Sequence, residues 1–299
     1  NLRAGHFREP FSLERLDSTH DLPFLERSSV VNALTPFRNI GLMAFNWNEA
    51  ETATIAYGLF NENTNDYGEN NRDQTGLAGT CRATWLPWYD EASGRGLFHI
   101  GGSYSYRHLG GNHQRRFAIT PEVQLKEGLS FRTPSFVDTG LLSIGNYHVA
   151  GTEFNLMLGS LAVQGEYILA SGQQTNGQTF FFQGGYVEAM YWLTGENRNY
   201  NRKLALHGAV TPFSNFSRVR TEEGVETSWG AWEAAARIST IDLNDGTIQG
   251  GQMTDLTLGL NFYYAVRSRL MFNYIHSFLD RNNVNSNADV VAMRFQFTF

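Results

Sequence analysis

The chain is poor in several things, and each absence excludes a class. It has one cysteine, Cys81, among 299 residues. A single thiol builds neither a disulfide framework nor a cysteine-based metal site. Proline is scarce, at 7, and lysine scarcer still, with only Lys126 and Lys203. At a formal net charge of -6 the chain lacks the basic surface that nucleic acid demands. No run of about 18 apolar residues occurs, which excludes a transmembrane helix. No Met opens the chain and no signal segment is visible, as in an exported, processed protein or a shortened chain.

Chemical motifs are also missing. The histidines at 6, 20, 99, 108, 113, 148, 207 and 276 show no metal-ligand spacing. No Gly-x-Ser-x-Gly elbow, phosphate loop or dinucleotide fingerprint occurs. His99 and Ser103 fall on one face of a strand, but no third partner accompanies them. An enzyme, a metal centre and a cofactor are therefore not expected.

What is present is β chemistry. Aromatics make up 14%, with 22 Phe, 13 Tyr and 6 Trp, and glycine is abundant at 30. The mean hydropathy of -0.34 is that of a soluble protein. A barrel strand is apolar on one face only, so this value is compatible with a membrane.

Apolar residues alternate with polar ones in many segments. Val291, Met293, Phe295 and Phe297 share one face, while Arg294, Gln296 and Thr298 share the other. Leu256, Leu258, Leu260 and Phe262 oppose Asp255, Thr257 and Asn261. Trp232, Ala234, Ala236 and Ile238 oppose Glu233, Arg237 and Ser239. Roughly fourteen such segments are counted, each about ten residues long, which suits a tilted strand crossing a bilayer. They lie near 1–8, 38–47, 52–61, 76–88, 97–107, 115–125, 145–158, 161–171, 179–193, 202–211, 229–243, 254–264, 267–277 and 289–299. The expected fold is all-β, a transmembrane antiparallel up-and-down β-barrel forming one domain over 1–299. In hydrocarbon every backbone N–H and C=O must pair inside the protein, so such strands must close on themselves. Trp85 and Trp88, Tyr191 and Trp192, and Tyr263 and Tyr264 sit at segment ends, as interface girdles would.

The connections set a polarity. Ala265-Val266 and residues 48–51 read as tight turns. The polar stretches 62–75, 244–253 and 278–288 read as external loops, because outer-membrane barrels carry long loops outside and short turns in the periplasm. Residues 159–160 are short for an external loop and 212–228 long for a periplasmic turn. A further strand between 126 and 144 would repair the parity. The stretch 9–37 stands apart. Its charges and apolar residues recur at three-to-four spacing, which predicts short helical pieces. It reads as a long loop folded into the lumen, with a helix on the rim as the alternative.

Several stretches resemble the phosphate-selective porin O and P family. GHFREPFSLERL and FLERS open the chain. PEVQL, FVDTGLL, GSLAVQGEYI, GGYVEAMYWLTGENRNY and LHGAVTPFSNF follow in family order. WGAWEAAARISTIDLND, LTLGLNFYYAVRSRLMFNYIH and the terminal Phe299 complete the match. The most specific are the Leu-Thr-Gly-Glu-x-Arg-x-Tyr run at 193–200 and the Gly-Ala-Trp-Glu block at 230–233. The resemblance implies a sixteen-stranded barrel in the bacterial outer membrane, embedded in its lipids. It also implies a homotrimer that passes small phosphate-like anions by diffusion. The fourteen counted strands fall two short of sixteen, which leads us to expect that an N-terminal stretch is missing.

The strand phase directs Arg8, Arg82, Arg107, Arg237, Arg269 and Arg294 inward, because an outward Arg at mid-bilayer costs roughly 2–4 kcal/mol. Glu153, Glu166, Glu188, Glu233 and Asp255 point inward too, so the expected wall is mixed. Arg8, Arg15, Arg27 and Arg38, on or beside the 9–37 stretch, are the candidates for a constriction. Guanidinium groups offer paired donors to phosphate-like oxygens, which favours anions. Glu14, Asp17, Asp21 and Glu26 share that region, and the scarcity of lysine departs from the family pattern. A general or cation-tolerant porin, and a non-conducting barrel with an adhesive or structural role, remain the alternatives.

Overall fold

The computed structural model describes residues 1–62, 76–111, 114–124, 133–221, 224–282 and 284–298. Its elements, in chain order, begin with β1 (Leu2–Arg8), α1 (Leu13–Leu16) and α2 (Ser29–Leu34). Then come β2 (Arg38–Trp47), β3 (Ala53–Glu62), β4 (Gly76–Tyr89), β5 (Gly96–His108), β6 (Gln114–Ile119), β7 (Val137–Leu158), β8 (Leu161–Gln174) and β9 (Thr179–Trp192). Four short strands follow: β10 (Tyr200–Asn201), β11 (Leu206–His207), β12 (Ser217–Thr221) and β13 (Gly224–Ser228). The chain finishes with β14 (Ala231–Asp245), β15 (Ile248–Ala265), β16 (Ser268–Arg281) and β17 (Val284–Phe297).

The main sheet has 13 strands, in the order β1-β2-β3-β4-β5-β7-β8-β9-β14-β15-β16-β17, with β6 paired to β7 alone. Every ladder is antiparallel, and those of the main path join successive long strands, the up-and-down pattern. Among the described residues no ladder joins β1 to β17.

The period of two fixes both faces. In β9, Phe180, Phe182, Tyr186, Glu188, Met190 and Trp192 are buried, while Phe181, Val187 and Tyr191 are exposed. In β14, Arg237 and Ile241 are buried and Ile238 between them is 55% exposed. The outward face is thus apolar and the buried face carries the charges, the reverse of a soluble sheet.

Three sequence expectations need correction. Residues 202–211 are not a spanning strand. They form a turn through Ala205, at φ 51, flanked by the two-residue ladder β10–β11. In the polar stretches 244–253 and 278–288 the described residues are mostly continued strand, with turns at 246–247 and at Asn282. Gly246 (φ 56) and Asn282 (φ 54) supply the left-handed backbone those turns need. Among the described residues the parity conflict is resolved without a further crossing. β7 is 22 residues long, and its first part pairs with the 6-residue β6, so β6 is an excursion and not a crossing. The expected loop 62–75 lies outside the described residues, apart from Glu62. The girdle pairs also split: Trp85, Trp88 and Tyr191 are exposed, but Trp192 and Tyr263 are buried.

Candidate functional site

The buried face is layered. One end holds an apolar cluster in which Phe11, Val30, Val31 and Leu34 pack with Phe117 of β6 and with Phe180, Phe182, Ile241 and Met253. A second cluster, with Phe24, Met157, Met190, Trp192 and Tyr263, lies toward the opposite strand ends. Between them runs a belt of buried charge.

Arg237 is its centre. Its Nη2 donates to Glu122 Oε2 at 2.5 Å, and its Nη1 to Glu14 Oε1 at 3.0 Å and Glu188 Oε2 at 3.4 Å. The guanidinium also stacks on Phe24, 4.4 Å from the ring centroid. Glu122 accepts from the Ser239 and Thr257 hydroxyls as well. Glu166 accepts from the Glu14 backbone N–H at 2.7 Å and from Tyr186 Oη at 2.9 Å. Glu233 accepts from Tyr263 Oη, to which Arg269 donates at 3.3 Å. Along the wall Arg82 pairs with Glu153 at 2.5 Å, and Arg107 with Glu9 at 2.9 Å and with Glu62. These cations are neutralised where they stand.

Two connections from opposite strand ends meet at this belt. The stretch 9–37 joins β1 to β2, and 193–230 joins β9 to β14. Asp17, of the first, accepts from the His207 backbone N–H at 2.9 Å and from His207 Nδ1 at 2.8 Å. Arg198 donates to Asp17 Oδ2 at 3.2 Å and to Gln164 of β8 at 2.9 Å. The Asn155 amide of β7 meets His207 Nε2 at 2.9 Å. Burial, and then the Arg198 charge, lower His207 to about 4 from its usual 6.5. Burial acts to raise Asp17, but His207 and Arg198 more than offset it, so Asp17 stays ionised. Close by, Tyr200 Oη bonds His99 Nδ1 at 2.7 Å, and His99 Nε2 bonds Glu153 at 2.9 Å.

A third group of cations is held differently. Arg8, Arg15 and Arg38 lie 5.8, 5.1 and 5.5 Å from the centroid of the Phe37 ring. Arg8 and Arg38 are also register partners across β1 and β2. Arg8 donates to the carbonyls of Leu16 and Asp17, and Arg27 to those of Glu14 and Asp17. Arg15 donates to Thr35, Asn32 and the Val31 carbonyl. Carbonyls and rings satisfy donors but bring no net negative charge. Burial, and then the Arg27 charge, lower Arg15 to about 9.

The family model for phosphate-selective porin O and P matches residues 1–299. The chain belongs to that family. It is 23% identical to Porin O of Pseudomonas aeruginosa over 329 aligned residues, covering 100% of this chain and 70% of that protein.

The porin's wall arginines Arg82, Arg107, Arg237 and Arg269 lie on the buried, inward face, as do Glu166, Glu188 and Glu233. Arg294 is only part-buried, 3.5 Å from Glu26. Arg15 and Arg27 are buried, Arg8 is half-buried and Arg38 exposed. Periodicity did not reveal the roles of Glu122, Arg198 or His207: Arg198 lies in a connection, and Glu122 and His207 lie in the 115–125 and 202–211 segments, which are not spanning strands. For Arg198 and Tyr200 a signal existed: both fall in the specific 193–200 run.

Proposed function

We propose that this chain is an outer-membrane porin through which small hydrophilic solutes diffuse, with a preference for anions. The observation that carries the preference is the Phe37 cluster, where the guanidinium groups of Arg8, Arg15 and Arg38 gather around one ring. Carboxylates outnumber arginines on the buried face as a whole, yet they are bound within the belt. The less covered inner side, along β17 and β1–β3, carries Arg3, Arg8, Arg294 and Gln296 half-buried or exposed. A path there would pass Arg3 and Arg8, and Arg294 with Glu26 beside it, with 9–37 as its constriction. Phosphate is the solute named in the family's description, and a homotrimer belongs to the same proposal.

The zero-current potential across a planar bilayer in a salt gradient tests this. An anion-side potential is expected; a cation-side potential would favour the general porin. One observation supports a non-conducting role: the stretch 9–37 and residues 198–207 pack against the buried face. Absence of conductance steps from folded protein would favour that role.

A further inference from the structure

We infer that the side of the sheet formed by β1–β3 holds a binding pocket for small organic carboxylates with an apolar tail, a ligand class distinct from inorganic phosphate. The inference rests on the anion reading above and narrows it to one ligand type.

A cavity of about 90 Å³ lies between β1, β2, β3 and the turn at 203–206. That is room for roughly six to nine water-sized groups. Its charged lining is Arg3, Arg8, Arg82 and Lys203, and the described lining contains no carboxylate. Arg82 is neutralised by Glu153, and Lys203 has Glu51 at 3.3 Å on the exposed rim. Arg3 and Arg8 differ. The Arg3 guanidinium lies over the rings of Phe7 and Phe45, at 5.6 and 5.4 Å. Arg8 is bonded to main-chain carbonyls. Neither makes an ion pair among the described residues, although the Asp17 charge also acts on Arg8. Strict alternation would place residues 3 and 8 on opposite faces. Gly5, at φ 132, lies between them, and both reach the one cavity.

The rest of the lining is greasy. Leu16, Met43, Leu204 and Leu206 face the same space. Hydrated phosphate would have to shed water against these walls with few donors to replace it. A monocarboxylate needs only its two oxygens satisfied, which one guanidinium does in a paired geometry. Its alkyl chain then covers apolar surface at about 0.8 kcal/mol per buried methylene. Charge and walls together favour an amphiphilic monoanion of about eight heavy atoms, the size set by the room available.

Sodium hexanoate and sodium phosphate, each added to the intact porin in a bilayer carrying KCl current, test the pocket. Hexanoate is expected to block at a concentration about tenfold lower than phosphate. Arg3→Gln and Leu204→Asn, both at partly exposed positions, should each raise the half-blocking hexanoate concentration about tenfold, leaving phosphate unchanged. Equal block by the two anions, or block indifferent to both substitutions, overturns the pocket. The zero-current potential, read in the same membrane, separates the two claims. An anion-side potential without hexanoate block removes the pocket alone. A cation-side potential with hexanoate block intact removes the general anion preference alone.

Discussion

The His207 backbone N–H and Nδ1 both donate to the carboxylate of Asp17, 190 residues earlier in the chain. This pair ties a connection from one end of the strands to a connection from the other. It is buried, with Arg198, Asn155, His99 and Tyr200 around it.

Protonation should loosen that tie. His207 sits at about 4 in the fold and near 6.5 when free. The fold therefore prefers the neutral ring. This contribution is complete above about pH 6.5 and is lost as pH falls toward 4. It amounts to a few kcal/mol. Asp17, also depressed, adds a loss at still lower pH. Limited proteolysis of residues 193–216 should accelerate between pH 6.5 and 4, and His207→Ala should remove most of that dependence. A flat pH profile in the unmodified porin would show that the pair does not hold the segment.

Arg237 contacts three carboxylates, from the 9–37 connection, the 120–124 segment and β9. Arg237→Met keeps the bulk and removes the charge, stranding those acids in a dry belt. A loss of about 3–5 kcal/mol is expected. Thermal unfolding in detergent measures it. Glu188→Gln, which removes one of three acids, should cost clearly less.

Cys81 lies on β4, exposed, opposite Tyr57 and Tyr104 on the outward face. In reconstituted vesicles an apolar maleimide should label it and a charged maleimide should not. Rapid labelling by the charged reagent would mean that this face meets water, and the strand phases would have to be reversed.

Strand phase was readable in the sequence because Arg82, Arg237 and Arg269 alternate with Ala83, Ile238 and Leu270, a pattern only one orientation tolerates in lipid. Strand ends were less readable. Polar residues at 244–253 and 278–288 resemble loops, yet backbone pairing continues past the apolar band. The stretch 202–211 alternates by coincidence and is shaped instead by Ala205 and by Arg202, which donates to the carbonyls of Ala50 and Glu51. Local period carries no information about such distant partners. The charge belt was half legible for the same reason: its wall residues follow from phase, but Glu122, Arg198 and Asp17 arrive on connections.

The central claim is that cations gathered on Phe37 bias the path toward anions, and Arg8→Gln combined with Arg38→Gln tests it most directly. The zero-current potential of the folded double variant should move several-fold toward equal permeability for anions and cations. A potential identical to that of the unmodified porin would contradict the assignment, because the charges thought to select would then lie off the path.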